Sequence, residues 1–404
     1  MDRVIVALEN RFCYCWGRLI ITAALIPLML VAAGVCRSVP ATPTLSPTGI
    51  VLSPLSSGEF PIAVWLQEPS LAKRYAAAGI NLYVGLWQGP TDQQLSDLKA
   101  AGMPVICEQN AIGLQHLSDP TIVGWMQIDE PDNAQPIPGQ PNSYGPCVPP
   151  SSLLDRYNAM RTADPTRPVY LGLGQGVAND DWYGRGNGTS LDDYKTYVKG
   201  GDILSYDVYP MAGLHDVNKL WFVAKGLDRF KGWSNGTKTM WEAIECTDIG
   251  GEGGPTPDQV RSEIWMVLVH GATGIVYFVH QFKPTEDDNE LLDNPTMLAA
   301  VTSINQELHQ LSPVLLSPTV TDGATVKSSN DQAPIDILVK HHNDSIYILA
   351  AGMRNGAATG TFIVKGVPLS ATADVIGEGR SIPVHDSQFT DNFTAYGTHT
   401  YRIH

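Results

Sequence analysis

Carboxylates, carboxamides and indoles recur in this sequence at one kind of place, directly after short apolar runs. Trp65 and Glu68 follow the first run, Trp87 and Gln88 the second, Glu108 and Asn110 the third. The fourth ends in Asp129-Glu130-Pro131-Asp132-Asn133; Gln175, then Asp207 and Tyr209, then Glu242 and Glu245, then His280 and Gln281 close the later ones. If these runs are strands whose ends share a rim, the set has one coherent chemistry. Carboxyl groups move protons or attack an electrophilic carbon, amides hydrogen-bond hydroxyls, and indoles stack on the apolar faces of pyranose rings. The partner such a rim suits is a carbohydrate.

Glu130 is the candidate acid/base. In Gly124-Trp125-Met126-Gln127-Ile128-Asp129-Glu130, strand alternation puts Gly124, Met126, Ile128 and Glu130 on one face, with Glu130 at the lip. Acidic residues ahead of a proline also suit a helix start, but a Pro/Gly-rich stretch follows as far as Pro150. Thr239 to Cys246 offers two more carboxyls, on opposite faces. Glu245 adjoins the polar Thr247-Asp248 and takes the nucleophile's place at a strand end; Glu242 lies a layer deeper, where a charge needs a partner. The candidates for holding substrate are Trp65, Trp87, Glu108, Asp129, Gln175, Asp207, Tyr209, Glu242, His280 and Gln281. Trp125 and Trp265 read as core.

The elements that must position these groups follow from the alternation of short apolar runs with amphipathic ones. From Pro61 it predicts eight strands, each followed by a helix or a helix-sized connection: a (β/α)8 TIM barrel over residues 59–312. Strand four is expected over Val123–Asp129, strand seven over Thr237–Glu245. Thr91 caps a helix that Gly102 ends. A doubly wound sheet is disfavoured, because the turn after the first strand reads Trp-Leu-Gln-Glu-Pro and not as a glycine-rich phosphate loop. Beyond Pro313 the texture changes: Ile335–Lys340, Ser345–Ala351 and Gly360–Val364 alternate apolar and polar residues, predicting a small antiparallel β-sandwich over 313–404.

The segment Trp125-Met126-Gln127-Ile128-Asp129-Glu130-Pro131 resembles the strand-four acid/base motif of clan GH-A glycoside hydrolases, where Asn-Glu-Pro is usual. Tyr206-Asp207-Val208-Tyr209-Pro210 is similar to that clan's strand-six tyrosine segment, Trp241 to Glu245 to its nucleophile strand, and His270 to Gly274 with Tyr277-Phe278 to its passage into strand eight. The resemblance runs in order from residue 61 to about 312. It implies retaining hydrolysis of glycosidic bonds, with Glu130 as acid/base and Glu245 as nucleophile, two carboxyls about 5–5.5 Å apart. Asp129 departs from the usual Asn, and His280 and Gln281 stand where many members have a tryptophan.

Bulk properties narrow the alternatives. The net charge of −15 excludes a phosphate-binding surface, so no nucleic-acid partner is expected, and no protein partner is evident. Only His280 among strand-end residues is a plausible metal ligand, so neither metal nor other cofactor is expected. A non-catalytic sugar-binding barrel is the alternative from another class. At the N-terminus, Arg11 and Arg18 precede the apolar run Leu19–Val35, and Val39-Pro40-Ala41 offers a cleavage site. Residues 1–41 therefore read as a signal peptide or membrane anchor, 42–58 as a Pro/Ser-rich linker, and the product as secreted or membrane-tethered. Export leaves Cys107, Cys147 and Cys246, from which a Cys107–Cys147 bridge over the rim is expected.

Overall fold

Short apolar runs separated by amphipathic stretches fold here into a closed ring of parallel strands with helices outside it. The computed structural model describes residues 44–45, 50–140, 143–182, 188–368 and 370–404. The targeting segment expected over 1–41 lies outside the described residues. The ring consists of β1 (Ile62–Trp65), β2 (Leu82–Val84), β3 (Val105–Glu108), β4 (Ile122–Met126), β5 (Val169–Leu173), β6 (Ile203–Tyr206), β7 (Thr239–Met240 and Glu242–Glu245) and β8 (Ile275–Phe278). It closes through β7, which is interrupted at Trp241: Thr239–Met240 pairs with β6 and Glu242–Glu245 with β8, which in turn pairs with β1.

The helices are α1 (Ala72–Ala77), α2 (Asp92–Ala101), α3 (Ala111–Gln115), α4 (Pro150–Ala163), α5 (Tyr194–Tyr197), α6 (Phe222–Trp233), α7 (Pro257–Val269), α8 (Glu290–Asp293) and α9 (Pro295–Leu315). Local sequence starts several of them. Thr91 with Gln94 and Thr256 with Gln259 form reciprocal capping boxes on α2 and α7, and Gly102 ends α2 in the left-handed conformation. The last helix runs through Pro313 to Leu315, near enough to its end that few backbone bonds are lost.

Two apolar layers result. Inside the ring lie Ala63, Trp65, Leu82, Val84, Ile106, Met126, Tyr170, Ile203, Trp241, Val276 and Phe278. Between the ring and the helices lies the larger core, which includes Trp125, Tyr206, Phe230, Ile244, Trp265 and Tyr277. Residues 50–58, part of the linker read from composition, are folded rather than free. Val51 accepts a hydrogen bond from Thr239, and Leu55 is buried against the interior layer.

The C-terminal strands β9 (Ala324–Ser328), β10 (Ile335–His342), β11 (Ser345–Gly352), β12 (Ala358–Val364), β13 (Ser370–Val375), β14 (Arg380–His385), β15 (Gln388–Phe393) and β16 (Thr398–Ile403) form one antiparallel sheet, ordered β9-β12-β15-β14-β13-β16-β11-β10. It is an antiparallel barrel or sandwich, in keeping with the antiparallel β-sandwich expected. It encloses its own core around Phe362, Phe389 and Tyr401 and docks on α7 and α9. At the seam Trp265 donates to Thr400 (3.1 Å), Ser262 to the Tyr396 carbonyl (2.9 Å), and Arg261 stacks on Trp265 at 3.8 Å.

Cys107, Cys147 and Cys246 are all free thiols, which corrects the expected Cys107–Cys147 bridge. The reason is strand parity: Cys107 is fully buried in the layer between strands and helices, not over the rim. Cys246 donates to the Phe278 carbonyl at 3.3 Å.

Candidate active site

Strand four leaves the ladder earlier than its alternation predicts, and the departure builds the site. β4 stops at Met126, and the next side chain, Gln127, turns toward the carbonyls of Leu153 and Gly200. Ile128 then packs on the outer core, so it does not share a face with Met126 and Glu130. Glu130 is tied to β5 by its N–H on the Gly172 carbonyl (3.1 Å), at a φ of 40°. A non-glycine residue in that left-handed region carries strain that surrounding structure must hold, a situation that gathers at functional sites. Gly174 explains part of the fit: a Cβ there would stand 3.0 Å from Glu130 Oε1 and 2.8 Å from Asn133 Nδ2.

The result is a pocket at the C-terminal mouth of the ring. Asp129, Glu130 and Asp207 line it, with Trp65, Tyr209 and Phe278 as aromatic walls; the Tyr209 and Phe278 rings lie 5.2 Å apart. Glu130 and Asp207 are in carboxyl-to-carboxyl hydrogen-bonding contact, which requires one of the two to carry a proton. Burial pushes the Glu130 carboxyl up to about 7, the nearby Asp132 charge adding to it and hydrogen bonds from Asn133 and Asp207 opposing it. Burial, then the Glu130 charge, push Asp129 and Asp207 well above the ordinary carboxylate range. Like charges this close cannot all ionise at neutral pH. Asp132 stands apart from them: it accepts from the Gly174 N–H (2.9 Å) and from Tyr194 (2.7 Å), a bracing contact for the loop.

A second pocket adjoins the first across a shared wall of Trp65 and Phe278. Trp87, Glu68, Gln67, His280, Phe282 and Asp288 line it. His280 faces Gln67 Nε2 (3.2 Å), the Trp65 carbonyl (3.3 Å) and Asp288 (3.4 Å), and its ring stacks on Phe282.

The remaining candidates fall elsewhere. Glu245 is fully buried and does not line the pocket; its carboxylate accepts from the N–H groups of Met211 (2.7 Å) and Ala212 (2.6 Å) and contacts the Glu263 carboxyl on α7. Glu245, expected to face Glu130 across the mouth, thus does not share the lining of that pocket with it. β7 presents Ala243 to the pocket instead. Glu242 is fully buried on the helix side, near Tyr206 and Glu263, and its carboxyl is pushed well up by burial and by the Asp207 charge. Glu108 ends β3 exposed, facing Arg156. Gln175 accepts from Asn179 (2.8 Å), and Gln281 donates to the Thr285 carbonyl (3.2 Å). Tyr170 was not singled out in the sequence, and Phe278 only as part of the passage into strand eight, because an aromatic residue inside an apolar run gives no sign of facing a cavity.

The fold resembles that of solved glycoside hydrolases. The α-amylase from Geobacillus thermoleovorans complexed with acarbose superposes with a TM-score of 0.50, at 10% identity, over 86% of this chain and 98% of that one. A variant of AmyP in complex with maltotriose gives 0.50, at 8% identity, over 86% and 98%. No family model and no curated protein matches the sequence. At such identities the likeness establishes the architecture: a TIM-type barrel followed by an antiparallel β-domain.

Proposed function

We propose that the chain is a glycoside hydrolase in which Glu130 gives a proton to the leaving oxygen and Asp207 is its working partner. The observation that supports this best is the convergence of Asp129, Glu130 and Asp207 on one aromatic-walled cavity at the mouth of the barrel, where barrel enzymes do their chemistry. A carboxyl held protonated near neutrality by burial is what a general acid requires. The retaining course that the clan GH-A resemblance implies needs a carboxylate with access to the anomeric carbon. Asp207 and Asp129 line the cavity, and either would serve only after giving up the proton that burial and the Glu130 charge favour on it, whereas Glu245 is engaged by Met211, Ala212 and Glu263. Glu130 and Asp207 contact one another directly, so a sugar bound between them would have to part them. Export, proposed from the apolar segment Leu19–Val35, would bring the site to polymeric glycans.

Ala243 favours one other reading, a sugar-binding barrel without hydrolysis, because strand seven brings no carboxylate into the pocket. Screening oligosaccharides and polysaccharides for released reducing ends separates the two. Release that is lost in Glu130→Gln supports hydrolysis; calorimetric binding without release supports the second reading.

A further inference from the structure

Asp132 is the one carboxyl of the Asp129-Glu130-Pro131-Asp132 turn that lines neither pocket, although it is fully buried. Its oxygens tie the turn to two other elements. The Gly174 N–H, just past the end of β5, reaches both of them (2.9 and 3.2 Å), and the Tyr194 hydroxyl of α5 donates to Oδ2 (2.7 Å). Tyr194 is itself anchored: it is fully buried, and its ring stacks on Trp233 of α6 with centroids 5.1 Å apart. Tyr197 of the same helix donates to the Val148 carbonyl just before α4, and the Val148 N–H donates to the Pro131 carbonyl (2.9 Å).

Gly174 joins this clamp to the acid. With its N–H on Asp132, its α-carbon stands so near the Glu130 and Asn133 side chains that a Cβ would meet both. Asn133 hydrogen-bonds the Glu130 carboxyl, and its N–H donates to the Glu130 carbonyl (3.0 Å). These contacts surround a residue whose left-handed backbone needs holding.

An amide at position 132 would satisfy the same two donors with no charge to bury. A carboxylate adds a negative charge beside Glu130, which favours the protonated acid. Burial pushes Asp132 up as well, but its donors oppose the rise and favour its ionised form. Among the described residues, the other titratable groups facing Glu130 are Asp129 on the same turn and Asp207 and Tyr209 after β6; Tyr194 and Tyr197 face Asp132.

We propose that Asp132 is a positioning residue: it clamps the end of β5 and helix α5 to the turn after β4 and so holds the Glu130 carboxyl in the cavity. This role rests on the reading of Glu130 as the acid. It is tested on the full chain labelled with carbon-13 at the glutamate carboxyls, the Glu130 signal being the one that Glu130→Gln removes. Asp132→Asn keeps an acceptor for Gly174 and loses the charge, so the Glu130 midpoint should fall by about one pH unit, the scale of one neighbouring charge. Contact with Asp207 makes this the midpoint of a pair, and loss of a third charge lowers it whichever partner holds the proton. Tyr194→Phe keeps the charge and removes one arm of the clamp. There the Glu130 amide, closed on the Gly172 carbonyl in the parent, should exchange its proton at least about tenfold faster, with the amides of the C-terminal sheet unchanged.

An unmoved Glu130 midpoint in a folded Asp132→Asn chain, or parental exchange at Glu130 in Tyr194→Phe, overturns the proposal. Where Asp132→Asn does not fold, Tyr194→Phe decides alone. On a glycan that the parent cleaves, the alkaline fall of kcat/KM should move to lower pH in Asp132→Asn with KM little changed; a fall at the parental pH also overturns it. If the parent releases reducing ends from no glycan, the hydrolase reading fails by itself, because the carboxyl titration and the amide exchange need no substrate.

Discussion

Two groups of acidic side chains gather in the barrel, one just beyond the ends of β4 and β6 and the other on β7 and α7, and they have opposite surroundings. Asp129, Glu130 and Asp207 open onto the mouth cavity. Glu242, Glu245 and Glu263 are fully buried and line neither of the two pockets described. Burial pushes the carboxyls up in both groups, Glu130 and Glu245 alike to about 7. Perturbed acidity alone therefore does not mark the reactive group; access does. The sealed group is best described as buried acid held neutral, with Glu245 and Glu263 sharing a proton and two backbone N–H groups serving the remaining charge.

The sharpest way to break this contrast is paired substitution. Glu130→Gln should lower turnover by about 10²–10⁴, the range for loss of general acid help, with the melting temperature close to that of the parent. Glu245→Gln and Glu242→Gln should leave turnover near the parent value in whatever fraction folds, their effect appearing in denaturation curves instead. A folded but inactive Glu245→Gln would return the nucleophile to strand seven and refute the contrast.

The pH dependence of each group gives a second test. With the Glu130 carboxyl pushed up to about 7, kcat/KM should fall as pH rises through about 7, because the acid loses its proton. A rate that stays flat from pH 6 to 9 would remove Glu130 from the acid role.

The sealed group should instead be read in stability. Burial pushes the folded Glu245 carboxyl up to about 7 from its ordinary 4.5, so the folded state holds the extra proton between those values. Its contribution is complete below about 4.5 and is lost as pH rises through about 7. Urea midpoints should fall over that window, and Glu263→Gln, which offers an amide N–H to the Glu245 carboxylate, should flatten the fall. A midpoint that rises over the same window would contradict the shared proton.

The smallest effect is expected where carboxylates meet a cation at the domain seam. Burial opposes the charge on His270, but Asp228 (2.9 Å) and Asp336 (3.1 Å) outweigh it and push the ring up to about 9. The pairing stabilises fully below the ordinary histidine value of 6.5 and is lost as pH rises through about 9. His270→Gln should remove that dependence and cost on the order of 1 kcal/mol, as befits a partly exposed pair. Unchanged melting profiles between pH 6 and 9 in parent and variant would show that the seam does not depend on it.

Much of the architecture was legible in the chain alone, for local reasons. Eight apolar runs at strand length, separated by capped helices such as Thr91–Gly102, leave few folds other than the barrel, and alternation in 335–351 marks the second domain. The rim residues Trp65, Asp129, Glu130, Asp207 and Tyr209 were found because a residue type that can do chemistry, placed at a strand end, is a local signal. Direction is not local. That Glu245 turns to Met211, Ala212 and Glu263 while Ala243 faces the cavity depends on how β7 breaks at Trp241 and where the loop after β6 lies. That Cys107 is out of reach of the rim, and that β4 stops at Met126 so that Glu130 meets Asp207, are likewise decided by neighbours remote in sequence. A one-residue change of phase in a strand exchanges its faces, and only the closed barrel sets that phase.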